Sequence, residues 1–242
     1  MRENILLLCA VELEMRSLAK TLSLKRANAR SYEGVYCNKN ILLHKTGIGK
    51  KNARKNLSKI LVKYPCECII SSGLAGAVSQ NLDVGDIVIP RELREYQTRE
   101  KMFVDDSLYA IASGIMSQGA VPLFEEDILC SAHKVVDSED KKILSIKDPE
   151  VKAVDMESFY YASVAREYSI PFIAIRGISD NAEYVFPKMV TLSSAFNARN
   201  SISIQDIISF PVDLLRTMKF VKNCRFAAKN TAIFVELFLR GL

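Results

Sequence analysis

The sequence predicts an α/β fold: a three-layer single domain in which a mixed, twisted central sheet is flanked by helices. Three observations lead there. Short apolar runs bounded by turn residues alternate with stretches of helical periodicity, the pattern of a sheet covered on both faces. Two glycine-rich stretches, Thr46-Gly47-Ile48-Gly49 and Ser72-Gly73-Leu74-Ala75-Gly76, each follow an apolar run. Glycine lets a chain turn sharply there, at the strand ends where open α/β sheets place ligands. Finally, the 242 residues hold no internal repeat and no low-complexity linker, so one domain, residues 1–242, is the economical reading.

Taken in order, strands are expected over 4–10, 40–46, 67–72, 86–90 and 171–176. Helices are expected near 12–21, 50–63, 105–117, 138–145 and 157–168. The helix from Lys50 opens directly after Gly49. From 206 to 240 the chain reads as a helical tail with Phe210, Leu214, Met218 and Val221 at helical spacing on one face. Arg216, Lys219, Lys222, Arg225 and Lys229 make it basic. Such a tail either lies on an anionic membrane surface or packs on the domain with its basic face in water. Phe234, Leu237 and Phe238 are candidates for a subunit contact in a homo-oligomer.

Composition narrows the classes. Hydrophobic residues at 49% and charged residues at 25% suit a soluble globular protein and argue against disorder. A net charge of +5 is too mild to support nucleic-acid binding by itself. The first segment, MRENILLLCAVELEM, has a short apolar run with Glu12 and Glu14 behind it, which reads as a core strand rather than an export signal. A cytoplasmic protein with reduced thiols is therefore expected. Cys66 and Cys68 have one residue between them and no second cysteine pair nearby, so no metal is expected.

Four segments carry a resemblance. They are Cys9-Ala10-Val11-Glu12-Leu13-Glu14; Thr46-Gly47-Ile48-Gly49-Lys50; Ser72-Gly73-Leu74-Ala75-Gly76 running on to Val84-Gly85-Asp86-Ile87-Val88; and Ala153-Val154-Asp155-Met156-Glu157-Ser158 followed by Arg176-Gly177-Ile178-Ser179-Asp180. In order and spacing they resemble the nucleoside phosphorylase/nucleosidase superfamily over most of residues 4–185. Within it the chain looks closest to the methylthioadenosine/adenosylhomocysteine nucleosidases and to the hopanoid-biosynthesis-associated phosphorylase-like group. The second likeness rests on Asp155-Met156-Glu157-Ser158, on Pro90-Arg91-Glu92 leading to Val104-Asp105, and on the turn at Pro211 into a basic helix. That group is associated with releasing adenine from an adenosylated hopanoid lipid.

The resemblance implies a nucleoside phosphorylase-like fold and cleavage of a purine N-glycosidic bond. Such cleavage passes through a sugar cation, so the site must stabilise positive charge on the ribose and neutralise the departing base. Asp180, at the end of an apolar strand, is the candidate acid toward purine N7; as a plain structural residue it would cap a following helix. Glu157 is implied to hold the ribose hydroxyls, with Met156 against the sugar; otherwise Glu157 is a first-turn helix carboxylate and Met156 is core. Glu14 matches the water-activating glutamate of the family and is preferred over Glu12, which points to another helix face. Arg176 and Ser179 are expected to orient Asp180 and the water, although Arg176 is equally a structural ion pair. Gly73 and Val136 complete the substrate-binding set. His133 falls where the family lines the purine pocket and is left outside that set.

Hydrolysis is expected over phosphorolysis. A phosphate site near the first strand calls for glycine and arginine, whereas the first glycine is Gly34 and Cys9 to Glu14 bring carboxylates; Lys50 and Lys51 are the remaining phosphate candidates. Leu74 stands where the methylthioadenosine nucleosidases carry a serine, and the stretch after Val84-Gly85-Asp86 is short, which opens the 5′ pocket. The substrate expected is a 5′-substituted adenosine, free or lipid-linked, with no cofactor and no metal. The reading from another class is a non-catalytic nucleoside-binding protein.

Overall fold

The computed structural model describes residues 3–115, 128–186 and 211–242. Among these, one mixed sheet forms the middle layer. Its first strands are β1 (Asn4–Cys9), β2 (Lys25–Asn28), β3 (Ser31–Tyr36), β4 (Lys39–Lys45), β5 (Cys68–Ala77) and β6 (Ile87–Val88). β7 (Glu92–Glu95), β8 (Lys101–Phe103), β9 (Ile128–Ser131), β10 (Val151–Asp155) and β11 (Phe172–Asp180) follow. The helices are α1 (Glu12–Thr21), α2 (Lys50–Leu61), α3 (Asp106–Ile115), α4 (Ser138–Lys147), α5 (Ser158–Glu167) and α6 (Pro211–Gly241). Strand order is β2-β3-β4-β1-β5-β10-β9-β7-β8, with β11 and β6 branching from β5.

β5 is the hub. It runs parallel to β1 on one side and to β11 on the other, and its far end meets β10 antiparallel. A strand with neighbours on both edges and layers on both faces has nowhere to put polar side chains. Accordingly Ile5 to Leu8 are all buried, as is every residue of β11. Each such Leu or Ile contributes roughly 1.5–3 kcal/mol through burial.

The sheet is larger than the apolar runs alone predict. β2 is fully exposed and β3 alternates half-buried with exposed residues, so the β2–β3 edge hairpin carries no apolar signature. The segment 67–72 is extended by five residues, because the Ser72 to Gly76 stretch is not a turn. It stays paired with β11 as far as Gly76 opposite Asp180, with one register shift between Ile178 and Asp180, and the glycines with positive φ are Gly47, Gly49 and Gly85. The expectation of a sharp turn holds at Gly47 and Gly49 and fails at Gly73 and Gly76. The segment 86–90 shortens to β6, and the expected helix over 105–117 is described as far as Ile115.

The tail is a helix packed on the domain. Ala227, Ala228, Ala232, Val235, Phe238 and Leu239 are buried against α1 and β11. A β-carbon on Gly177 would lie 2.3 Å from Thr231 Oγ1 and 2.8 Å from the Ala227 carbonyl, so this glycine lets α6 lie directly on β11. Phe234 and Phe238 are buried within their own chain, which removes them from a subunit surface; Leu237 stays partly exposed. Met218 and Val221 face outward rather than into the core. Residues 206–210, Phe210 among them, and the side chain of Leu214 lie outside the described residues. No described helix is long and apolar enough to cross a membrane.

Candidate active site

The carboxyl ends of the parallel strands β1, β5 and β11 converge with the end of β10 on a cavity of about 270 Å³. Its walls are mostly apolar, with Val11, Ile48, Met156, Val136, Phe186 and Phe220 among them. Four carboxylates belong to this lining, Glu14, Asp155, Glu157 and Asp180. This is the arrangement of ligand sites in general: an apolar cleft with a few convergent polar groups.

Glu14 sits in the first turn of α1, where free backbone N–H groups await partners. Its Oε2 accepts from the N–H groups of Ala10 (2.9 Å) and Val11 (3.0 Å), and its Oε1 accepts from Leu74 N–H (3.0 Å). Burial nevertheless raises its pKa, against the lowering effect of these bonds and of nearby Arg176. Glu12, two residues earlier, points away and pairs with Lys45 at 2.5 Å and Arg16 at 2.9 Å. Leu74 thus reaches Glu14 through its main-chain N–H.

Glu157 is placed by the carboxylate of Asp155. Asp155 accepts from Glu157 N–H (3.3 Å), Ser158 N–H (3.0 Å), Ser158 Oγ (2.6 Å) and Ser131 Oγ (2.5 Å), which fixes the strand-to-helix turn into α5. Glu157 Oε1 in turn accepts from Gly49 N–H at 2.6 Å, drawing the glycine turn after β4 over the pocket. Burial, then the charges of Asp155 and Glu14, push its pKa up to about 8.

Arg176 does not orient Asp180. Its guanidinium is buried and donates from Nε to Asp155 (3.0 Å), from Nη1 to the Ser71 carbonyl (2.8 Å) and from Nη2 to Ser71 Oγ (2.8 Å). The side chain does not line the pocket, and its ion pair is with Asp155 rather than with Asp180. Gly73 likewise does not line the pocket. A β-carbon there would lie 3.2 Å from Glu14 Oε1 and 3.6 Å from Arg176 Cζ, so it acts as a spacer between them.

Asp180 ends β11, 2% exposed. Ser179 Oγ donates to its Oδ1 at 2.6 Å, the contact expected of that serine. Its Oδ2 accepts from Lys141 Nζ, and Lys141 is itself 1% exposed. Met156 and Val136 line the pocket as expected. His133 is exposed and absent from the lining, whereas its neighbours Lys134 and Val135 belong to it. Lys50 and Lys51 are exposed outside the pocket, Lys50 lying over the Tyr160 ring.

The sequence reading missed Lys141, Asp155, Ile48, Phe186 and Phe220. Lys141 carried a faint signal: it shares a helix face with buried Leu144, three residues on. Asp155 stood inside the recognised motif, three residues before Ser158, as an N-terminal capping aspartate does.

Chemically, the pocket offers two carboxylates held by main-chain N–H groups, a third bound to an ammonium and a fourth, Asp155, paired with Arg176, around a space of nucleoside dimensions. A family model described as the phosphorylase superfamily matches residues 4–201. The 5′-methylthioadenosine/S-adenosylhomocysteine nucleosidase of Glaesserella parasuis is 31% identical over 189 residues, covering 72% of this chain and 82% of that protein. The Haemophilus influenzae enzyme of the same name is 29% identical over 188 residues, with the same coverage. Among solved structures, a mutant Helicobacter pylori MTAN with 5′-methylthioadenosine in its active site superposes with TM-score 0.78 at 19% identity, covering 100% of both chains. Futalosine hydrolase of the same organism gives 0.77 at 19% identity, covering 99% of this chain and 98% of that one. With the family model spanning most of its length and the fold matching throughout, this chain belongs to the phosphorylase superfamily, among its nucleosidase-like members.

Proposed function

We propose that this protein hydrolyses the N-glycosidic bond of a 5′-substituted adenosine, releasing adenine. The observation that carries the reading is the convergence of Glu14, Glu157 and Asp180 on one apolar-walled cavity. Asp180 protonates purine N7 while the bond from C1′ to N9 breaks and its electron pair passes to the base. Glu157 accepts hydrogen bonds from the ribose hydroxyls. Glu14 takes the proton of a water that attacks C1′. Its raised pKa makes it a stronger base than an exposed glutamate, and its three N–H bonds hold it in place. No step calls on a metal or an organic cofactor.

Water is favoured over phosphate as the nucleophile for an electrostatic reason. The two basic residues lining the pocket are each paired with a carboxylate, Lys134 with Asp140 (2.7 Å) and Lys141 with Asp180. Neither offers an unpaired charge to an anion, and the Glu14 carboxylate repels one.

The 5′ substituent is apolar in this reading, because Val11, Ile48, Phe186 and Phe220 surround the lining. A methylthio group, as in the substrates named for the relatives, satisfies it. The adenosylated hopanoid expected from the sequence is a second reading, favoured by one observation: Leu215 and Met218, on the same helix as Phe220, expose apolar side chains to solvent at 69% and 61%. Adenine release from adenosine, 5′-methylthioadenosine and adenosines with lengthening 5′ alkyl chains tests both. Activity rising with chain length favours the lipid; a peak at the methylthio compound removes it; equal rates on unsubstituted adenosine contradict an apolar 5′ requirement.

A further inference from the structure

We propose that Lys141 is a positioning residue that keeps a proton available to Asp180, so that the lysine–aspartate pair, not the aspartate alone, supplies the proton to the departing base. This rests on the nucleosidase reading above. The geometry presents a conflict that the pair resolves. An ammonium within hydrogen-bond reach favours the ionised carboxylate, and an ionised carboxylate has no proton to give.

The pair is built, not incidental. Lys141 Nζ donates to Asp180 Oδ2 and, at 3.0 Å, to the carbonyl of Asn181, and lies 5.7 Å from the centre of the Phe186 ring. A β-carbon on Gly76 would stand 2.7 Å from Asp180 Oδ2 and 3.0 Å from Lys141 Nζ; glycine at this point of β5 leaves the space the pair fills. Other titratable groups around it stay neutral at ordinary pH. Burial and the Asp180 charge push the Cys224 thiol on α6 up to about 12 and also raise the Tyr184 phenol. Glu14 acts on Cys224 from across the pocket, and Lys134 is engaged with Asp140. The cation facing Asp180 is therefore the Lys141 ammonium.

A buried ion pair is one proton shift away from a neutral amine and a carboxylic acid. As N7 gains basicity, Lys141 passes its proton to Asp180 and Asp180 passes a proton to N7. The lysine ends as an amine, the aspartate as a carboxylate, and the base leaves neutral. After release the lysine takes a proton back from solvent, balancing the proton that Glu14 gained from water.

The test compares kcat/KM against pH for wild type, Lys141→Gln and Lys141→Arg on two substrates with the same 5′ group. One is the adenosine; the other is a nitrophenyl riboside, whose leaving group departs without protonation. For Lys141→Gln the alkaline limb of adenine release should move down by more than about one pH unit. The ratio of adenine to nitrophenol release should fall about 100-fold. Arginine restores the charge but does not give up its proton, so Lys141→Arg should not restore the ratio. An unmoved alkaline limb, equal losses on both substrates, or rescue by arginine would overturn the proposal. A wild type releasing no purine from any nucleoside would overturn the nucleosidase reading itself, and this inference with it.

Discussion

Two clusters of buried charge in this molecule are matched in burial and opposite in design. Toward the β8 edge of the sheet, Arg94 and Asp148 are each 5% exposed; in the pocket Glu14 is 7% and Glu157 8% exposed. The edge cluster is paired through and through. Arg94 donates to Asp148 at 2.6 Å and to Glu92 at 2.8 Å, and Arg99 donates to Asp148 as well. Despite burial, these partners hold the Arg94 guanidinium firmly protonated. In the pocket, Glu14 and Glu157 are bound by N–H groups and burial raises both carboxyls. Desolvation acts on both; a cation within reach decides whether a buried carboxylate is a fixed charge or a base ready to take a proton.

The comparison breaks most visibly at the edge. Asp148→Ala leaves Arg94 without its buried partner and should destabilise the fold by about 4 kcal/mol, read as a lowered midpoint of denaturant unfolding. The same measurement on Glu157→Gln should go the other way at neutral pH, raising stability by about 1 kcal/mol while removing most activity. The sign follows from protons. A group whose folded pKa is raised holds more protons in the native state between its unfolded and folded values, so stability falls as pH rises through that window. For Glu157 the window runs from the ordinary glutamate range to about 8, and Glu157→Gln should flatten the decline there.

Those contrasts also mark what was legible in the sequence. Continuous apolar runs announced β1, β4 and β11, and ordered motifs placed Glu14, Glu157 and Asp180 on one pocket. Exposed β2 and half-exposed β3 escaped because an edge hairpin has little to bury. The Ser72 to Gly76 stretch misled because glycine serves two purposes: at Gly47 and Gly49 it turns the chain, whereas at Gly73 and Gly76 it makes room for Glu14 and for the Lys141–Asp180 pair. Arg176 was assigned to the nearest motif aspartate, but it and Asp180 are four residues apart on one strand, and its guanidinium reaches across to Asp155 instead. Lys141 left only a faint signal, its helix face shared with Leu144. A lysine in a short polar helix reads as solvated until a partner 39 residues on is brought beside it.

A smaller effect sharpens the comparison from the opposite sign. Burial lowers the His44 pKa to about 4, with its Nδ1 2.9 Å from Ser31 Oγ. A depressed histidine lends stability above its unfolded pKa that is lost as pH falls from about 6.5 toward 4. His44→Asn should flatten that acid limb by less than about 1 kcal/mol, measured by thermal unfolding across the same pH range.

The central claim is that Glu14, Glu157 and Asp180, converging on one pocket, make water the nucleophile and the purine a neutral leaving group. Adenine release from 5′-methylthioadenosine, with and without phosphate, for wild type, Asp180→Asn and Glu14→Gln tests it most directly. The account predicts phosphate-independent release by wild type, with kcat/KM falling about 1,000-fold, or about 4 kcal/mol, in each variant. Release that requires phosphate, or that survives in both variants, would contradict it.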